Sequence, residues 1–309
     1  MSPFENPQTT SKSKTTEIPD SVRAAALDAT VIVQGQAISR GEDGVPVGQS
    51  YTARGTGFFI DDRHVLTNAH LAENIIFDGT AMTNDGQAHH MHLVKLDDVT
   101  DLAEYELDDK PAPGKYQHFD VAGDTTVRPG QTVFSASLQP DGGVAINSGH
   151  VTGLTTKDAE LARLQDVVAE YDKSHGFTPP PGIHERYTNV ISHLDPETRK
   201  DAEANLNQEY VAAHMDLARG ASGSALSDLE HHLLGINALA GVTSTPALAS
   251  KTRDLFITLP EITAFLNSKN NKFNFGYSVL NGHSIQTIER ANHSQRRPFN
   301  VLDDVDAKM

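Results

Sequence analysis

Three separated stretches of the chain hold the residue types of a nucleophile relay: Thr67-Asn-Ala-His70, Thr100-Asp-Leu-Ala103 and Gly220-Ala-Ser-Gly-Ser224. A serine hydroxyl is a weak nucleophile near neutral pH and needs an adjacent base to take its proton. An imidazole serves as that base when a carboxylate holds its other nitrogen in the right tautomer. Negative charge developing on the attacked oxygen needs donors already in place, usually backbone N–H groups, and small residues around a serine let the backbone curl to aim them. Each stretch alone is a weak signal, because a small-residue run around a serine arises often by chance. Together they offer a base (His70), an orienting acid (Asp101) and a nucleophile (Ser222), in that order along the chain.

The elements that must position them read as mainly β. Short β-branched runs occur at Thr30–Val33, Gly57–Ile60, His64–Leu66, His92–Leu96, Thr132–Ser135 and Val144–Ile146, with turns at Asp61-Asp62, Pro129-Gly130 and Asp141-Gly142-Gly143. Many short strands at this spacing predict an antiparallel sandwich or barrel. Ser21 to Ala29 reads as a short helix capped by Ser21. Beyond the strands, Leu161, Leu164, Val168 and Tyr171 fall at helical spacing. A second helix is expected from Asp195 as N-cap with Pro196 at its first position, carrying a thin apolar stripe of Ala202, Leu206 and Tyr210. Strand-like sequence resumes near Gly220 and runs through Leu233–Leu239 and Leu255–Leu259, and Pro260 opens a last helix over Glu261–Leu266.

Bulk composition narrows the class. With 309 residues the chain can bury a substantial core, and its 38% hydrophobic content implies that part of the length is unpacked. A formal charge of −16 argues against nucleic acid and anionic membrane surfaces as partners. There is no cysteine, which excludes disulfides and thiolate metal sites. No basic start followed by an apolar run marks a secretory signal, and no apolar stretch approaches the roughly 20 residues of a membrane span. The chain is expected to be soluble, in a compartment the sequence does not name.

The run Gly55-Thr-Gly-Phe-Phe-Ile60 followed by Val65-Leu-Thr-Asn-Ala-His70, with Asp101-Leu-Ala103 and Gly220-Ala-Ser-Gly-Ser224 downstream, resembles the bacterial trypsin-like (chymotrypsin-fold) serine proteases. Deg-type enzymes and glutamyl endopeptidases are the groups it is most similar to. The resemblance covers about residues 50–107, 128–154 and 216–267. It implies two antiparallel Greek-key β-barrels with the active site between them. It also implies a serine endopeptidase acting on polypeptides through an acyl-enzyme, with no cofactor and no metal. By position, His70 would be the base, Asp101 the orienting acid and Ser222 the nucleophile, while Gly220 and Ser222 would donate the oxyanion-hole amides. Leu234-Gly-Ile-Asn237 resembles the strand that lines the substrate cleft and pairs with a bound peptide.

The expected organisation is a disordered arm over 1–20, a first barrel over 21–120 and a second barrel over 121–267. Within the second lies a helical insert at 155–209, and a polar tail over 268–309 follows. Three departures from the family pattern stand out. Ala221 precedes the nucleophile where relatives carry Asp or Asn, so pairing with a freed N-terminal amine is not expected. Ser137-Leu-Gln-Pro140 replaces a G-x-P turn. The insert occupies a place where close relatives have a shorter loop bordering the substrate pocket, which makes it a candidate lid, inhibitor or docking surface for a regulatory partner.

Substrate-binding candidates are Asp216, Asn237 and Leu239, and two of them disagree. Asp216 matches a pocket-floor acid that favours Arg or Lys before the scissile bond. Leu239 would narrow the pocket and favour small aliphatic side chains. His89, His90, His92, His231 and His232 invite a metal reading, but adjacent histidines without partnering acids or cysteines are usually surface residues. Two other functions compete with the peptidase. One is a catalytically silent protease fold that binds a peptide or partner. The other is an α/β-hydrolase esterase using Ser222, Asp254 and His283, which fails where Ser224 replaces the second glycine of G-x-S-x-G and where strand–helix alternation is missing.

Overall fold

A computed structural model describes residues 17–40, 46–74, 77–121, 126–174, 182–239 and 251–268. Most of the arm expected over 1–20, nearly all of the tail expected from 268 onward, and His283 lie outside the described residues.

The strands form two closed six-stranded antiparallel barrels. The first is built from β1 (Thr30–Arg40), β2 (Pro46–Phe59), β3 (His64–Thr67), β4 (Phe77–Met82), β5 (Ala88–Asp97) and β6 (Leu102–Leu107), in the closed order β1-β2-β3-β6-β5-β4. The second uses β7 (Thr132–Leu138), β8 (Val144–Thr156), β9 (Glu209–His214), β10 (Ala225–Ser227), β11 (Leu233–Leu239) and β12 (Asp254–Thr258), in the order β10-β11-β12-β9-β8-β7. Antiparallel closure rules out the α/β-hydrolase architecture, which needs a parallel sheet between helices.

Alternation along the strands explains why both faces are apolar. In β2 the neighbours Phe58 and Phe59 belong to different cores, as do Val65 and Leu66 of β3 and Leu102 and Ala103 of β6. Successive side chains on a strand point to opposite faces. Val31, Phe59, Val65, Ala103 and Tyr105 thus fill one cluster drawn from the first barrel alone. Val133, Val151, Val211, Leu226, Leu234 and Phe256 fill a matching cluster in the second. Phe58, Leu66, Leu102, Phe134, Tyr210, Ile236 and Ile257 meet in a third cluster shared by both barrels. Each fully buried residue of that shared seam contributes about 1.5–3 kcal/mol, so the seam locks the two barrels against each other.

Helices close the seam and carry the insert. α1 (Asp20–Ala29) and α6 (Leu259–Asn267) add Ala26, Ala29, Leu259, Ile262 and Phe265 to the shared core. α1 begins one residue earlier than expected, with Pro19 rather than Ser21 at its N-cap and no side-chain cap. Pro260 sits in the first turn of α6, where its missing N–H costs nothing. Between β8 and β9 stand α3 (Lys157–Ser174), α4 (Ile183–Ser192) and α5 (Pro196–Asn207). α4 has no counterpart in the sequence reading, although Ile183, Tyr187, Val190 and Ile191 stand at helical spacing. Tyr210, read above as part of a helical stripe, lies in β9 and packs into the shared core, because residues 209–214 pair with β8 and β12.

Candidate active site

His70 follows β3 immediately, in the one-and-a-half-turn helix α2 (Ala69–Asn74). Asp101 closes the turn from β5 to β6. The ladder between β3 and β6 places Thr67 opposite Ala103, which brings the end of one strand beside the start of the other. Across that junction the His70 ring Nδ1–H donates to both carboxylate oxygens of Asp101, at 3.0 Å to Oδ1 and 2.9 Å to Oδ2. The His70 backbone N–H donates to Oδ1 as well, at 3.0 Å. Asn68 secures the same turn by donating from Nδ2 to the Asp101 carbonyl at 3.1 Å.

Asp101 is held in a left-handed conformation, φ 58°. A non-glycine residue there costs roughly 1–2 kcal/mol, so the surrounding bonds must outweigh a real strain. The acid side chain is 8% exposed and the His70 side chain 23%. A hidden carboxylate thus holds the inner nitrogen of a partly exposed imidazole.

Ser222 is half-buried in the loop between β9 and β10. Thr56 of β2 anchors that loop from the other barrel by two bonds and takes a third from β7. Its N–H donates to the Ser222 carbonyl at 2.9 Å. Its hydroxyl donates to the Gly220 carbonyl at 2.7 Å and accepts from the Leu138 N–H at 3.0 Å. The Thr67 hydroxyl in turn donates to the Thr56 carbonyl at 2.7 Å. Gly220 has φ 99° and Gly223 φ 82°, the two left-handed positions that let the chain fold around the serine. A Cβ on Gly223 would run into the Thr56 carbonyl and the Thr67 hydroxyl. On the far side the Gly223 N–H donates to the Asn237 carbonyl at 2.9 Å and the Asn237 N–H to the Ser224 carbonyl at 2.8 Å. Ser135 donates to the buried Ser224 hydroxyl at 2.8 Å. Among the described residues, neither the Gly220 nor the Ser222 N–H donates to a backbone carbonyl in this loop's contacts.

Ala221 is fully buried in the core of the second barrel. An acid at this position would enter an apolar cluster, so the alanine suits its surroundings. Asp216 is exposed, and its carbonyl accepts from the Asn147 side chain. Asn237 lies in β11 with its side-chain amide fully buried, and neither amide atom has a partner among the described residues. Leu239 is partly buried against the shared core. Asp254 is buried in β12.

Three of the clustered histidines, His89, His92 and His232, pair with a nearby acid. His89 is buried, with Nδ1 at 2.8 Å from Asp109 Oδ2 and Nε2 at 2.8 Å from the Tyr116 hydroxyl. His92 pairs with Asp108 at 2.7 Å. Asp228, Glu230 and His232 gather ligand-type atoms within 4.8 Å of one another. Asp228, however, is already used in shaping its own turn, accepting from the N–H groups of Glu230 and His232 at 3.0 and 2.9 Å.

A trypsin-like peptidase domain model matches residues 55–236, the span that contains His70, Asp101 and Ser222. The chain belongs to the trypsin-like peptidase domain family. A probable periplasmic serine endoprotease, DegP-like, of Rhizobium meliloti (strain 1021) is 40% identical over 85 residues, covering 26% of this chain and 16% of that protein. A similarly short match, 32% identical over 91 residues, is to the ribosomal protein uS12 methylthiotransferase RimO of Anaeromyxobacter sp. (strain K), covering 29% of this chain and 19% of that one. The chain therefore spans less than a fifth of either curated relative. In fold it is similar to the active form of the Rv3671c protease from M. tuberculosis, with a TM-score of 0.53 at 18% identity over 84% of this chain and 88% of that one.

Three positions outside the predicted relay bond to the segments that carry its residues. Thr56 and Asn68 sit inside the quoted motifs, next to residues already singled out, but their bonds depend on chain crossings that no local pattern encodes. The third, Asn205, lies in the insert, donates from Nδ2 to the Val99 carbonyl at 2.7 Å, and has no motif at all.

Proposed function

We propose that this protein is a serine endopeptidase, with Ser222 as nucleophile, His70 as general base and then acid, and Asp101 as the residue that orients His70. The observation that supports this most is the buried Asp101 carboxylate, taken up at once by the ring and the backbone N–H of His70 in a strained turn. A solvated acidic loop would have no reason to adopt that conformation.

In the first half of the reaction Ser222 Oγ bonds to the carbonyl carbon of the peptide, and His70 Nε2 takes the hydroxyl proton. Asp101 accepts from Nδ1–H and stabilises the imidazolium. The Gly220 and Ser222 amides receive the oxyanion. As the tetrahedral intermediate collapses, the C–N bond breaks and His70 returns its proton to the leaving amine, leaving an acyl-enzyme. Water then gives its proton to His70 and attacks the ester. Collapse releases the acid and restores the serine. β11 is paired on both sides, with β10 and β12, and the Asn237 N–H and carbonyl are already bonded to Ser224 and Gly223, so an extended polypeptide would pair elsewhere along the cleft.

Cleavage of a pool of internally quenched peptides by the purified chain, with new termini mapped by mass spectrometry, tests the reading. Cleavage by wild type that disappears in Ser222→Ala is the expected result. Equal cleavage by both overturns it, and no cleavage by either favours the silent fold.

A further inference from the structure

The turn that carries Asp101 is held from several directions. Within the turn, Asp97 Oδ1 accepts from the Val99 N–H at 3.0 Å and the Thr100 N–H at 3.5 Å. From the first barrel, Asn68 and His70 hold the Asp101 carbonyl and carboxylate. A further bond comes from the helical insert. Asn205, in the last turn of α5, donates from Nδ2 to the Val99 carbonyl at 2.7 Å, across 106 residues of chain.

Asn205 is 1% exposed. Its Oδ1 accepts from Lys157 Nζ at 2.9 Å, at the start of α3, so both ends of the amide are engaged. Packing alone does not call for an asparagine here. Ala202 and Leu206 already give α5 a buried apolar face, and an amide in a helix interior is both a poor helix former and costly to bury unless bonded. The residue suits a purpose that needs a donor pointed at Val99 and an acceptor pointed at the insert.

The insert has a firm base from which to do this. Glu160 of α3 is almost fully buried and forms ion pairs with Arg163 and with Arg253, the residue just before β12. Arg163 Nε donates to Glu160 at 2.9 Å. Asp195 caps α5, accepting from the Thr198 N–H at 3.1 Å and its hydroxyl at 2.6 Å. α3 packs on α4 and α5 and against β8. The insert is thus fastened to the second barrel at one end and touches the acid turn of the first at the other.

Taking the peptidase assignment as its footing, we propose that Asn205 is a positioning residue for Asp101, so that the insert forms part of the frame that keeps the relay aligned. The peptide plane between Val99 and Thr100 moves as a unit, and its carbonyl is the handle Asn205 holds. Releasing it lets the strained φ of Asp101 relax, which swings the carboxylate away from His70 Nδ1. Displacement of α5 by any ligand bound on the insert would reach the acid by the same bond.

The test is Asn205→Asp, which keeps the shape and the acceptor for Lys157 but replaces the donor to Val99 with an oxygen. A second variant, Lys157→Met, keeps the Val99 bond and serves as the control for insert packing. With both folded by thermal unfolding, Asn205→Asp should lower kcat at least about tenfold with KM within about twofold. A displacement of order 1 Å at a reacting group costs up to about 100-fold, and loss of alignment acts on kcat alone. Lys157→Met should keep kcat within about threefold.

The His70 ring Nδ1–H resonance in ¹⁵N-labelled protein reads the same alignment without turnover. It should be protected from exchange in wild type and Lys157→Met and lost in Asn205→Asp. A folded Asn205→Asp that retains both the resonance and kcat overturns the proposal, as does a wild type that lacks the protected resonance. If wild type shows the resonance but cleaves nothing, the peptidase assignment fails while the resonance still decides the role of Asn205.

Discussion

Replacing Thr56 with valine is the sharpest probe of how one barrel holds the other barrel's Ser222 loop. Valine is nearly isosteric and equally β-branched, so β2 and its register should persist. What is lost is one hydroxyl with two partners, the Gly220 carbonyl at 2.7 Å and the Leu138 N–H at 3.0 Å. Thr56 is fully buried. Each group left without a partner costs about 1–3 kcal/mol, with the Gly220 carbonyl toward the low end because its surroundings are only part-buried. A total of about 2–4 kcal/mol follows, and at roughly 2–4 °C per kcal/mol for a domain of this size the melting temperature should fall by on the order of 10 °C.

Activity should fall further than stability. The freed Gly220 carbonyl no longer fixes the loop, so the oxyanion amides lose their aim, and loss of one such donor is worth about 10²–10³ in kcat. A partial misalignment should cost about 10–100-fold in kcat below the melting transition, with KM little changed. Thr56→Ser restores the hydroxyl and should recover kcat to within about threefold. Calorimetry together with steady-state cleavage of a quenched peptide reads both effects. A folded Thr56→Val with wild-type kcat would refute the reasoning, because the bonds to Gly220 and Leu138 would then carry no alignment.

Asp101→Asn should lower kcat by about 10⁴-fold with the fold intact, since the amide favours the wrong His70 tautomer; steady-state cleavage at matched protein concentration reads it. Gly223→Ala should destabilise by at least about 2 kcal/mol and abolish cleavage, because the new Cβ meets the Thr56 carbonyl and the Thr67 hydroxyl at φ 82°; urea denaturation and activity are the checks. The His231 ring packs on Phe119 at a centroid distance of 4.4 Å, and burial lowers its pKa below the usual imidazole value, with Asp228 only partly opposing that and His232 adding to it. The folded state therefore binds fewer protons there than the unfolded state, and stability drops as pH falls from the ordinary histidine range toward the depressed folded value. His231→Asn, which tolerates the φ of 68° at this site, should flatten that acid-side loss in melting curves taken between about pH 7 and 5.

The barrels were legible because their strands announce themselves by alternation and by turn residues. Asp61 illustrates this, its carboxylate accepting from the Arg63 and His64 N–H groups at 2.7 Å each to close the β2–β3 turn. The residues proposed as base and nucleophile stand out in the sequence because they sit in two compact motifs, Val65 to His70 and Gly220 to Ser224. Shorter elements escaped notice. β9 was hidden because Tyr210 continues the spacing of Ala202 and Leu206 by coincidence, although its partners are strands far away in sequence. α4 was missed although Ile183, Tyr187, Val190 and Ile191 keep a helical spacing over its ten residues. Thr56 and Asn205 act through bonds spanning 164 and 106 residues, and a one-dimensional pattern carries no trace of such contacts.

The central claim is that Ser222 is an activated nucleophile, and labelling by a fluorophosphonate followed by peptide mapping tests it most directly. Wild type should gain one adduct, on Ser222, with labelling lost in Ser222→Ala and strongly slowed in His70→Ala. A folded wild type that stays unlabelled, or an adduct that maps to another residue and survives Ser222→Ala, would contradict the account.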